Sequence, residues 1–137
     1  MSLSAEVKTA LETNTDLMDI LTGGIYCDVE EISRQNTPAA FDDNKEIQPC
    51  VLIKLGVEIP TGPYVRGAQC PVIIYFYERQ GYENIDAAMA LVFDQLNETQ
   101  TGDRVWNMRF SNSVYNQRDV ALDCALSTLR FVAVRHK

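Results

Sequence analysis

The chain has 137 residues, 46% hydrophobic and 23% charged, which suits a single domain whose core needs neither metal nor disulfide staples. Its formal net charge is −7, with 11 acids against 4 bases in residues 1–62 and 8 of each in residues 63–137. Proteins that read DNA or RNA rely on Lys and Arg contacts to phosphate, so this balance argues against sequence-specific nucleic-acid binding.

In chain order, Ser4 is placed as an N-cap with Glu6 in the first turn. Val7, Ala10, Leu11, Leu17, Met18 and Leu21 then recur at three- and four-residue spacings, which predicts a helix over residues 4–22. Asn14-Thr15-Asp16 offers a break, with Asp16 as cap of the second piece, and Gly23-Gly24 closes the helix. Ile25-Tyr26-Cys27-Asp28-Val29 reads as a short strand or extended exit. Residues 30–49 then lose all periodicity, punctuated by Pro38 and Pro49. A loop of that length in a compact domain is usually functional or flexible, which makes it the first candidate contact arm.

β-branched content predicts a strand over residues 50–58, and Ile59-Pro60-Thr61-Gly62-Pro63 is turn chemistry. Residues 65–78 supply a longer strand, forming a hairpin with the first, and Pro71 should sit at an edge or bulge because it cannot donate to a ladder. This strand is apolar on both faces, with Val72, Ile74 and Phe76 pointing one way and Ile73, Tyr75 and Tyr77 the other. An antiparallel sheet normally leaves one face to water, so either another layer of the domain or another subunit must cover the second face. Ile85, Ala88, Met89, Val92, Phe93 and Leu96 predict a second helix running to about Asn97. A strand over 105–111, a polar loop over 112–119 and a final strand over 126–135 complete the chain. The expected fold is α+β: one domain over residues 1–137, with a four-stranded, mostly antiparallel sheet and two helices on one face, in the order α-β-β-α-β-β.

Catalytic equipment is missing from this pattern. The only histidine is His136, next to the last residue, so no nucleophile–histidine pair is placed. Cys27, Cys50, Cys70 and Cys124 are widely spaced, contain no C-x-x-C and lie in or beside apolar runs. That reads as buried, reduced thiols in a reducing compartment rather than a zinc site. Glu30/Glu31 and Asp42/Asp43 lack the alternation of a calcium loop and read as solvated loop charge. Tyr75-Phe76-Tyr77 has few basic neighbours, so sheet packing outweighs base stacking. The first residues lack the basic and apolar regions of a signal peptide, and the run 71–77 is too short to cross a bilayer. The expectation is therefore a protein with no cofactor, metal or membrane span that works by assembling with other protein surfaces.

The segment Leu17-Met18-Asp19-Ile20-Leu21-Thr22-Gly23-Gly24-Ile25-Tyr26 looks like a helix end, glycine and following Ile/Val-Tyr. With the polar loop, Gln48-Pro49-Cys50-Val51-Leu52-Ile53, the helix over 81–96 and the closing strands, it resembles the tail-completion or tail-terminator proteins of tailed bacteriophages. The resemblance covers nearly the whole chain, although residues 97–123 are longer than the family pattern. It implies a non-enzymatic virion protein of the tail or neck, assembled in the host cytoplasm. Such a protein forms a homo-oligomer, a hexameric ring, that terminates the tail tube and joins it to the head-side connector. Contact residues expected on that reading are Ile73, Tyr75 and Tyr77, then Tyr64 and Arg66 near the hairpin turn. Glu30, Glu31, Asp42 and Asp43 would line the lumen or a contact loop, where their charge repels DNA. The alternatives are a small adaptor or inhibitor that binds one cellular protein, and a cryptic enzyme or RNA binder.

Overall fold

Asn14 divides the first helical stretch. In the computed structural model, which describes residues 3–27, 30–60, 67–101 and 106–135, its side chain accepts a hydrogen bond from the Leu17 N–H at 3.1 Å. That caps α2 (Thr15–Ile20) and separates it from α1 (Leu3–Glu12). Asn14 takes the role expected of Asp16 because its amide also donates, reaching Gln95 at 3.1 Å, and Gln95 in turn donates to the Ala10 carbonyl at 2.7 Å. An aspartate has no proton to offer there. Gly24, at φ 91°, turns the chain out of the helix into β1 (Gly24–Cys27). Gly23 lies so close to the next strand that an added Cβ would stand 2.9 Å from the Cys50 Cβ.

β1 runs parallel to β2 (Cys50–Leu55), with Gly24 opposite Cys50 and Cys27 opposite Ile53. β2 then pairs antiparallel with β4 (Ala68–Glu78), forming the expected hairpin, and β3 (Ile59–Pro60) pairs with the start of β4. Pro71 stands at the gap between β2 and β3, where its carbonyl accepts from the Gly56 N–H at 2.8 Å and the Cys70 thiol reaches the Gly56 carbonyl at 3.6 Å in place of a proline N–H. After α3 (Glu83–Leu96) come β5 (Gln100–Thr101), β6 (Trp106–Asp119) and β7 (Cys124–Arg135). The strand order is β1-β2-β4-β7-β6-β5, with β3 beside β4.

Among the described residues the sheet therefore has seven strands rather than four, and there are three α-helices rather than two. The sheet is larger than expected because β3 and β5 are two-residue pairings too brief for any period to register, and because β1, read as a short strand or extended exit, joins the sheet beside β2. The first helix counts as two because of Asn14. Residues 112–119, expected as a loop, belong to β6 and pair with β7 through two register shifts. Their polar pattern reflects a hairpin exposed on most sides rather than missing structure, with Val114 (44%), Tyr115 (55%) and, at the turn, Val120 (86%) among its exposed apolar residues.

All three helices pack on one face of the sheet, as expected. The main core joins Val7, Leu11, Leu17, Ile85, Met89 and Val92 to Val51, Val72, Ile74, Phe76, Leu129 and Phe131. At the end of β4, the buried Glu78 carboxylate accepts from the Asn84 side chain at 2.6 Å and the Ile85 N–H at 3.3 Å. Tyr82, at the N-cap position of α3, makes no side-chain cap, so this carboxylate supplies the cap from the sheet.

Candidate interaction surfaces

The second face of the sheet is divided in two. Parallel neighbours need a long crossover, and the helices already occupy the first face, so the connection from β1 to β2 passes over the second. There Ile32, Ala40, Phe41 and Ile47 close over Cys50, Leu52, Tyr77 and Cys124 as a second core. Residues 30–49, read as a contact arm, are thus an ordered cover. A 3₁₀ turn (Pro38–Ala40) and a bridge between Phe41 and Ile47 shape it. The buried Thr37 hydroxyl donates to the Glu31 carbonyl at 3.0 Å, and Asp42 Oδ1 accepts from the Asn44 and Glu46 N–H groups at 2.9 and 3.0 Å. Hydrogen bonds and side chains spaced irregularly leave no periodic signal.

The acidic residues of this cover have separate tasks. Glu30 accepts from the Cys27 N–H at 3.1 Å, and its carbonyl takes the Lys54 ammonium at 3.1 Å. Asp42 holds a turn, while Glu31 and Asp43 are exposed. Among the described residues no three His, Cys, Asp or Glu side chains gather into a metal site. All four cysteines are buried. Burial, with a smaller contribution from Asp119, pushes the Cys124 thiol up to about 11, and burial raises Cys50 and Cys70 as well. Such thiols are poor nucleophiles at neutral pH. Tyr77 is also raised, chiefly by burial.

The expected contact residues therefore part company. Tyr77 is only 7% exposed and belongs to the second core, Tyr75 lies at its margin, and Ile73 is half-buried outside both cores. Tyr64 and Arg66 lie outside the described residues, as do Asp28 and His136. Toward the other end of the face, the register sets Lys54, Ile73, Arg130 and Asn112 side by side across four strands. In the next row on this face, Pro71, Val132 and Arg109 stand together. Arg109 and Arg130 are exposed, and neither has an ion-pair partner among the described residues. Sequence reasoning missed these three cations because strand register, not spacing, brings them together.

On the opposite side, α3 and the β6–β7 hairpin enclose an open groove of about 330 Å³. Met89, Phe93, Phe110 and Leu129 form its apolar lining, with Asp86 and Asp94 beside them. Phe110, 39% exposed, meets Phe93 and Phe131 edge-on at 5.1 and 6.1 Å between ring centres. The three helices carry seven acids against one base, Lys8. No helix among the described residues is long and apolar enough to cross a membrane.

No protein-family model matches the chain, and no curated protein matches it. A search of solved structures finds a similar chain, one described as "Virion of native gene transfer agent (GTA) particle". The likeness has a TM-score of 0.66 at 19% identity and covers 98% of this chain and 94% of the other. The chain shares its fold with a protein of a gene transfer agent virion. At that identity the likeness concerns the fold, over nearly the whole of both chains.

Proposed function

We propose that the chain is a structural protein of a tailed phage or phage-like particle. It forms a ring, six-fold on the resemblance seen in the sequence, that terminates the tail tube and joins it to the head connector. The reading is non-enzymatic, requires no cofactor and places the protein in the virion neck after assembly in the host cytoplasm. The observation that carries it is the end-to-end fold likeness to a chain of a gene transfer agent virion. A stretch of the second sheet face that the chain's own second layer leaves uncovered, where Ile73 and Val132 stand among Lys54, Arg109 and Arg130, supports it. Tyr64 and Arg66 remain proposed contact residues on this reading, together with Ile73 and Tyr75. Glu31 and Asp43, exposed on the cover, are proposed to face the lumen, with Glu30 and Asp42 holding the loop that presents them.

The test is assembly of particles with and without the chain. Without it, tubes should vary in length and stay detached from heads, and electron microscopy of complemented particles should show the chain at the head-proximal end of the tube. Tubes of normal length attached to heads in its absence would exclude the role. Burial of Tyr77 inside the chain is what a small adaptor that binds one cellular protein would also show. A chain that stays monomeric on tube ends while binding a host protein would favour that reading.

A further inference from the structure

The open sheet face and the α3 groove are complementary. On the sheet, Lys54 and Arg130 flank Ile73 in one row, and Arg109 lies beside Val132 in the next. Neighbouring strands are about 4.8 Å apart, so these cations sit within one patch around an apolar strip. No acid of β2, β4, β6 or β7 shares those rows, although the chain as a whole is acidic. The helical side is the converse, an apolar groove beside Asp86 and Asp94 on a layer with seven acids and one base.

Resting on the ring reading, we propose that the occupant of the basic sheet face is the acidic α3 groove of a second copy of this chain, so that subunits join head to tail. Pairing either surface with itself would set like charges against each other, cations on cations or carboxylates on carboxylates. A sheet-to-groove contact instead places Arg109, Arg130 and Lys54 near Asp86 and Asp94, and Ile73 and Val132 against the Phe93 and Phe110 lining. Because the two surfaces differ, the contact is heterologous, the type that closes into rings.

The test uses two double variants of the full chain, Arg109→Glu with Arg130→Glu, and Asp86→Lys with Asp94→Lys. All four positions are exposed, so circular dichroism and melting should match wild type. Native mass spectrometry and sedimentation near 0.1 M salt should show wild-type oligomers that weaken as salt rises. Each variant alone should need roughly a hundredfold more protein to assemble. An equal mixture of the two should assemble again, because every reversed face then meets an opposite charge. Wild-type-like assembly by both variants overturns the sheet-to-groove contact and leaves the ring standing. Failure of the mixture while each variant stays folded overturns the head-to-tail arrangement. A wild type that remains monomeric both alone and on tail-tube ends removes the ring and this contact together. Retention of wild type, but not the arginine variant, on duplex DNA would assign the basic face to nucleic acid and overturn the proposal.

Discussion

Glu78 shows how much one side chain can settle. Its carboxylate caps α3 from the end of β4, so it couples a helix terminus to the central strand. Glu78→Ala leaves the Ile85 N–H without its partner and should cost about 1–3 kcal/mol, measured by urea unfolding. The buried thiols make a second residue-scale statement. The Cys124 pKa is raised from 9.0 to about 11, so the thiol stays protonated in the fold where an unfolded chain would ionise. Stability is therefore full below pH 9 and falls as pH rises from 9 toward 11, because the unfolded state releases the proton first. Urea midpoints should drop across that window, and Cys124→Ser should lessen the drop, with the raised Cys50 and Cys70 thiols contributing the rest in the same direction. A midpoint unchanged up to pH 11 would contradict the assignment.

At the scale of elements, the cover over residues 30–49 is the feature most open to trial. It is held by Phe41, whose ring is buried against the second core and has the Arg34 guanidinium 5.0 Å from its centre. Phe41→Ala should cost about 3 kcal/mol or more and expose Cys50 to alkylation in the native state, a joint effect that mass spectrometry and melting read separately. Loss of stability without new reactivity at Cys50 would mean that the cover stays shut by other contacts. The β6–β7 hairpin is the opposite case. The outer half of β6 is largely polar and exposed, and Tyr82 anchors it by donating to the Gln117 carbonyl at 2.6 Å. Substitutions at Val114 or Tyr115 should therefore change stability by less than about 0.5 kcal/mol.

For the whole molecule, both cores share the strands of one sheet: Phe76 lies in one and Tyr77, its neighbour, in the other. Neither layer can be removed without exposing the other's floor, so thermal unfolding of the isolated chain should be a single transition. Far-ultraviolet circular dichroism and tryptophan fluorescence from Trp106 should coincide. Separate midpoints would show that the second layer melts independently.

The helices, the β2–β4 hairpin and the two-sided greasy strand were legible in the sequence because each repeats a period over many residues. Tertiary structure decided the rest. Strands of two residues carry no period, and a cover built from single hydrogen bonds carries none either. The cations of the open face come from three strands far apart in the chain, and only hydrogen-bond register sets them in one patch. Local spacing records what a segment buries, whereas which segments share a face is a long-range choice made when the sheet assembles.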